Sequence, residues 1–439
     1  MSCNRSGSRS GVFGADSEID ISMFFRQWQR YIDRQKPEYL ATPLPSCFES
    51  DLVVVIPCYD EPGVNETLDS LRQCDPAPAR VSVLLVFNSG ERSDDRTVHQ
   101  NRISYNETMA YARENNRSAL SFFPLLFERL PRKHAGVGLA RKIGMDLAVS
   151  HFFTCNKLNG VIVSLDADCT VSSNFLTAIR AAFIREPSLN GTIHNFRHRT
   201  EHNDDKLLRA VQQYEAYIRY FSNRLKWCGF PYYYHTIGSA FAVSADAYVR
   251  TGGMGRQQGG EDFYFLQKLF GLGHIRELND AFVYPLTRFS NRIPFGTGPA
   301  LQKIMAAPDG IMQVYSRDAF LALQQLFARK ETFYRKQRPE IIAAMKGLHP
   351  SIIRFILDND LVARIEDCNA NSASLNGYQK RFFHHFNAFR IIKYLNFAHP
   401  DFFPLEKITE IALCDDDACT LGNLRIKPYL CARNHGNAP

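Results

Sequence analysis

Two aspartates, Asp166 and Asp168, stand two residues apart at the end of the apolar run G-V-I-V-S-L-D-A-D, residues 160–168. Side chains alternate along an extended chain, so both carboxylates face one point in space. Such a pair suits Mg2+ or Mn2+, hard cations that take oxygen ligands and keep positions open for phosphate oxygens. A nucleotide-diphosphate site is therefore one reading; a polar turn closing a strand is the other, because D-x-D is short and turn-favoured. A second acidic pair, Glu261-Asp262, follows glycines at 252, 253, 255, 259 and 260 and opens a helical pattern backed by Phe265, Leu266 and Leu269. Acids at that place can simply complement the helix dipole. The glycine loop reads either as a passive connection or as a segment able to close over a ligand. Arg288 and Arg292 lie in R-F-S-N-R-I-P-F-G-T-G, where guanidinium and backbone N–H groups can grip phosphate, or which is an ordinary solvated loop. His134, His235 and His274 are further polar candidates, and none is taken as a ligand.

The elements that must position these groups read as alternating strands and helices. Residues 52–56 form a short buried run stopped by Pro57 and followed by Cys58, Tyr59, Asp60 and Glu61. Val64, Leu68 and Leu71 recur at helical spacing, and residues 81–87 form a second strand ending in Asn88-Ser89-Gly90. Residues 97–116 read as a helix, 119–127 as a strand, and 136–152 as a helix that leads into the strand at 161–165. Beyond it come a helix at 173–185, a strand at 191–198, a long helix at 204–226, and strands at 238–243 and 275–285. From residue 300 the pattern is helical, as at 319–327 and 382–395. This order predicts an α/β fold with a mostly parallel central sheet flanked by helices. Ligands of such sheets bind at the carboxyl ends of strands, where Tyr59, Asn88, Asp166 and Asp168 all fall.

The chain has 439 residues, 45% of them hydrophobic, and no run of about 18 apolar residues that would span a membrane. Residues 1–20 are Ser/Gly-rich, lack the apolar run of a signal peptide, and read as a disordered leader. Residues 21–50 read as an N-terminal helix and linker. Phe24, Phe25, Trp28, Tyr31 and Ile32 share a face that packs on the body, with peripheral membrane contact as the alternative, and Thr42-Pro43-Leu44-Pro45 marks the linker. Eleven cysteines without C-x-x-C spacing point to free thiols in a reducing cytoplasm, and zinc at Cys414, Cys419 and Cys431 is not expected. A net charge of +7 with no basic arm suits an anionic small substrate and argues against a nucleic-acid partner.

Four motifs occur in order: V-V-V-I-P-C-Y-D-E at 53–61, G-V-G-L-A-R-K at 136–142, S-L-D-A-D at 164–168 and G-G-E-D-F-Y-F-L-Q-K-L at 259–269. Over residues 51–285 the chain resembles family 2 glycosyltransferases of the GT-A fold, as a soluble bacterial-type member. The resemblance implies a GT-A domain at 51–299, followed by a helical C-terminal region at 300–439. It implies that Pro57, Tyr59 and Glu61 line the base and ribose pocket, that Arg141 lies near pyrophosphate or ribose, and that Gly238 and Ser239 flank the acceptor. Asn88 stands where the family usually has an aspartate reading the base, and an amide both donates and accepts, so the base stays open. Asp168 would be the direct ligand of Mn2+ or Mg2+, Asp166 would touch ribose or metal-bound water, Asp262 would be the general base, and Glu261 would orient the acceptor or brace the helix start. The implied reaction moves a hexose from a UDP- or GDP-sugar to an acceptor hydroxyl with inversion, the acceptor being a glycan, a lipid-linked molecule or a small molecule. Without a membrane span or a Q-x-x-R-W motif, single addition is expected rather than processive synthesis. Two alternatives are an inactive binding or scaffold protein of the same fold, opposed by intact Asp166, Asp168 and Asp262, and a sugar-phosphate nucleotidyltransferase. The latter's G-x-G-T-R-x-x-P loop is replaced here by P-C-Y-D-E-P-G.

Overall fold

The computed structural model describes residues 15–41, 49–200, 204–287 and 296–409. The chain divides into two compact units, residues 1–203 with 234–298, and residues 204–233 with 299–439. In chain order the first contains α1 (Ala15–Asp33), α2 (Pro37–Leu40), β1 (Leu52–Cys58), α3 (Val64–Arg72), β2 (Val81–Gly90), α4 (Asp95–Asn115), β3 (Leu120–Leu130), α5 (Val137–Thr154), β4 (Val161–Ser164), β5 (Cys169–Val171), α6 (Phe175–Arg185) and β6 (Gly191–Phe196). Helix α7 (Asp205–Trp227) belongs to the second unit, and β7 (Phe241–Ser244), α8 (Ala245–Arg250), α9 (Glu261–Gly271) and β8 (Ile275–Pro285) return to the first.

The sheet runs β3-β2-β1-β4-β7-β6-β8-β5. The expected mostly parallel sheet holds for β3, β2, β1 and β4, and again for β6 with β8. Strand β7 is antiparallel to both β4 and β6, and β5, a three-residue strand that the sequence pattern does not announce, is antiparallel to β8. Pro57 lies inside β1, paired with Val86, rather than ending it. The ladder from β1 to β4 has already closed at Val55 and Ser164, so a residue without an N–H is tolerated on that side.

Helices cover both faces. Leu52, Val54, Ile56, Val83, Leu85 and Val163 pack with Val64, Leu68 and Leu71 of α3, each buried. On the other face α5 approaches closely: a Cβ at Gly144 would run into the Val55 side chain and stand 3.1 Å from Val86 Cγ2. Helix α1 packs on the body as its apolar face predicts, with Trp28 fully buried and its Nε1 donating to Asp246 at 3.5 Å. It begins at Ala15, within the stretch read as a leader; residues 1–14 and the 42–45 linker lie outside the described residues.

The second unit is helical, as expected: α7 is joined by α10 (Thr297–Ala306), α11 (Arg317–Arg329), α12 (Arg338–Ala344), α13 (Pro350–Asp358), α14 (Leu361–Ala370), α15 (Leu375–His385) and α16 (Ala388–Ala398). The pattern read as continuous over 382–395 is two helices, because Asn387 caps α16 by accepting from Arg390 N at 3.0 Å. Phe230, Phe327, Phe382, Phe383 and Phe386 form its aromatic core. No helix among the described residues is long and apolar enough to cross a membrane. The cysteines described, Cys58, Cys74, Cys155, Cys169, Cys228 and Cys368, are free, and Cys414, Cys419 and Cys431 lie outside the described residues. Gly144→Ala should lower stability by about 1–3 kcal/mol by overpacking α5 against β1 and β2, measured by urea unfolding; an unchanged midpoint would contradict that close approach.

Candidate functional site

Three segments remote in sequence meet at one guanidinium. Arg141, on the first turns of α5, is buried to 3% side-chain exposure; its Nη2 donates to Asp166 Oδ1 at 2.6 Å and its Nη1 donates to Glu261 Oε1. Glu261, the first residue of α9, is 2% exposed, while Asp166, just past β4, remains 37% exposed. Burial works against the arginine's charge, but the carboxylates of Asp166, Glu261 and Asp262 outweigh it and raise its pKa above the ordinary value. Asp262 is partly buried and takes the Phe263 N–H at 2.7 Å. Burial and the Glu261 carboxylate push Asp262 up from 3.8 to about 6, although Arg141 and that N–H pull it down.

Gly238 sits against this cluster. A Cβ there would stand 2.8 Å from Asp262 Oδ2 and 3.2 Å from Arg141 Nη2, so the position admits no side chain without displacing both. Ser164 Oγ donates to Gly238 O at 2.6 Å, and Ser239 is buried. The reversed direction of β7 makes this possible: its first residue, Phe241, pairs with Ser164, the last residue of β4.

The ends of β1 and β2 are tied into a second group. Asn88, 1% exposed, donates Nδ2–H to Cys58 O at 2.8 Å; Asn101 of α4 donates to Asn88 O at 2.7 Å and accepts from Asp60 N at 2.8 Å. Asn88 Oδ1 is a buried acceptor with no hydrogen-bond partner. Asp60 has φ +49°, a left-handed conformation that turns the chain after Tyr59, and Glu61 is buried with its carbonyl accepting from Ser104 at 3.0 Å.

The D-x-D turn is held by residues that motif reading passes over. Thr67 of α3 donates to Ala167 O at 2.8 Å, and Arg199 grips Glu66 through both terminal nitrogens, at 2.7 and 2.8 Å, with Nη2 3.5 Å from Asp168 O. Thr67 had a signal: it is a polar residue on the buried face formed by Val64, Leu68 and Leu71. Arg199 had none. Among the described residues no group of three or more His, Cys, Asp or Glu side chains gathers as a metal cage. Asp166 and Asp168 still fit Mg2+ or Mn2+, since both are partly exposed hard-oxygen donors and such ions take one or two carboxylates with substrate phosphates completing the shell.

Arg141, expected near pyrophosphate or ribose, is buried between Asp166 and Glu261, and Glu261, expected to orient the acceptor or brace the helix start, is buried against it as the first residue of α9. The physical reason is mutual: either charge alone in that position would be uncompensated. Arg288 and Arg292 lie outside the described residues. His235 Nε2 is 2.9 Å from His194 O, a structural contact.

No family model matches the chain, and no curated protein matches it. Among solved structures it is similar to residues 1–349 of TarS from S. aureus in complex with UDP-GlcNAc, at 14% identity and a TM-score of 0.36, covering 76% of this chain and 91% of that one. It is also similar to the mannosyltransferase PcManGT from Pyrobaculum calidifontis in complex with GDP-Man and Mn2+, at 18% identity and a TM-score of 0.34, covering 92% and 99%.

Arg141→Met should destabilise by about 3–5 kcal/mol by stranding the Glu261 charge, and adding Glu261→Gln should restore part of that loss. Chemical unfolding of the single and double variants measures the coupling, and additive losses would deny the pair. Asp262 binds its proton more tightly folded than unfolded, so its contribution to stability is full below pH 3.8 and is lost as pH rises through about 6. Asp262→Asn should therefore raise Tm at pH 7–8 and leave it unchanged near pH 4.

Proposed function

We propose that this chain is a glycosyltransferase that moves a hexose from a UDP- or GDP-sugar to an acceptor hydroxyl, by direct displacement with inversion and one sugar at a time. The observation that carries the reading is the meeting of Asp262 and the buried Arg141–Glu261 pair with Asp166 across the same guanidinium, an environment whose burial raises the Asp262 pKa to about 6. A general base works best when its pKa lies near the operating pH, so Asp262 is ionised at neutral pH yet basic enough to take the acceptor proton. The four ordered motifs support the same reading.

In this mechanism Asp262 accepts the hydroxyl proton as the acceptor oxygen attacks the anomeric carbon and the sugar–phosphate bond breaks. Glu261 spends its charge on Arg141 and holds the start of α9, which keeps Asp262 aimed. Asp168 and Asp166 would hold Mn2+ or Mg2+, which supplies Lewis-acid stabilisation of the leaving diphosphate. Tyr59 offers its ring to the base, Pro57, Glu61 and Asn88 shape the nucleoside pocket, Gly238 and Ser239 flank the acceptor, and Arg288 and Arg292 would supply phosphate contacts.

Mn2+ and a nucleoside diphosphate should raise Tm together more than either does alone, by mass action on the native state; no shift across a panel of nucleoside diphosphates would remove the donor site. In a donor screen read by mass spectrometry, log kcat/KM should climb with unit slope as pH rises towards about 6 and level off above it. Asp262→Asn should keep donor binding while transfer falls by about 100- to 10,000-fold. Unchanged transfer would take Asp262 out of the mechanism.

A further inference from the structure

Beneath α1 lies a buried polar network larger than docking requires. Trp28, fully buried, and Phe25, edge-on to Phe153 at 5.7 Å, already give that helix an apolar anchor. Yet Tyr31 Oη donates to Asp146 Oδ1 at 2.6 Å, Tyr248 Oη donates to the same oxygen at 3.0 Å, and Lys142 Nζ donates to Asp146 Oδ2 at 2.7 Å. Lys142 also donates to Gln35 Oε1 at 3.0 Å, and Gln35 Nε2 donates to Tyr31 O at 2.8 Å. Tyr31, Lys142, Asp146 and Tyr248 are all buried. A satisfied buried network fixes one geometry, because breaking any member leaves a polar group unpaired in a low dielectric. Two of its members ride on α5, and Lys142 directly follows Arg141.

The same tyrosine abuts the glycine loop. A Cβ on Gly253, whose φ is +74°, would run into Tyr31 Oη and stand 3.0 Å from its Cζ and 3.2 Å from Tyr248 Cε1. At the far end of the loop, Gly136 and Gly138 of the α5 start lie against Gln258 and Gln257, and Gln258 Nε2 donates to Arg132 O at 3.0 Å. Immediately after this second contact come Gly259, Gly260, Glu261 and Asp262. The loop is thus fastened on both sides of Arg256, which is exposed.

We propose that Tyr31 is a positioning residue for Asp262: by joining α1 to Asp146 and abutting Gly253, it fastens the 252–260 loop and sets where α9 begins relative to Arg141. Asp262's part in this rests on the transfer reading above, whereas the fastening of the loop can be read without substrate. Tyr31→Phe keeps the ring and removes the hydrogen bond to Asp146. Limited trypsinolysis should then cut after Arg256 several-fold faster, and kcat should fall by about tenfold or more, while donor KM and the Tm shift by Mn2+ with nucleoside diphosphate stay unchanged. Where Tyr31→Phe fails to fold, Gly253→Ala presses on the same hydroxyl from the loop side and must produce the same pattern. Unchanged cleavage at Arg256, or an altered donor KM with unchanged kcat, would overturn the proposal. Faster cleavage in a chain whose unaltered form transfers no sugar would overturn Asp262's role and leave the loop fastening standing.

Discussion

One buried guanidinium, Arg141, is the constraint on which the first unit depends. At 3% side-chain exposure it cannot rely on water, so its charge must be met by protein carboxylates, and the structure brings these from the end of β4 and the start of α9. Removing such a cation from water costs several kcal/mol before any attraction is counted, so its partners must be held closely. Glycines allow this approach: a Cβ at Gly138 would collide with Gln257 O and sit 3.1 Å from Glu261 Cγ, and Gly238 lies against Asp262 and Arg141 themselves.

The same constraint generates the chemistry. Asp166, Glu261 and Asp262 surround one cation, so full ionisation leaves an excess of negative charge. Coulomb energy in a partly buried cluster makes the least compensated acid hold its proton longest. Glu261 forms the tight pair with Arg141, Asp166 is partly solvated, and Asp262, held by a backbone N–H, has its pKa raised to about 6 by burial and by the Glu261 carboxylate. A carboxyl that titrates near neutrality thus follows from burying Asp262 beside Glu261, whose own charge is already matched to the guanidinium.

Much of this was legible in the sequence because apolar runs and strand ends leave strong patterns: β1, β2, β4 and the D-x-D were placed by periodicity alone. Strand direction leaves no such mark, which is why β7 read like its parallel neighbours although it runs against them. Burial of charge is equally silent. Arg141, Lys142 and Asp146 look like the solvated stripe of a helix, yet all three are inside: Lys142 and Asp146 pair across one turn, and the other partners come from α9, the end of β4, α1 and α8, which no local pattern announces. At 382–395 the apolar spacing continues through Asn387, and only the capping geometry reveals two helices.

The unread direction of β7 is also what lets the two sides of the site meet. A purely parallel sheet gathers the carboxyl ends of its strands along one edge, here those of β1, β2 and β4, with Asn88 near the end of β2 and Asp60 and Asp166 beyond β1 and β4. A reversed strand presents its amino end at that edge instead, and the segment entering β7 is Gly238-Ser239. Because Ser164 at the end of β4 holds the Gly238 carbonyl at 2.6 Å, the backbone leading into β7 is fixed to the strand that carries the D-x-D. Asp262 then stands opposite a position where a Cβ would displace its carboxylate and press on Arg141. Gly238 thus lies between Asp262 on α9 and Ser164 at the end of the strand that leads into the D-x-D.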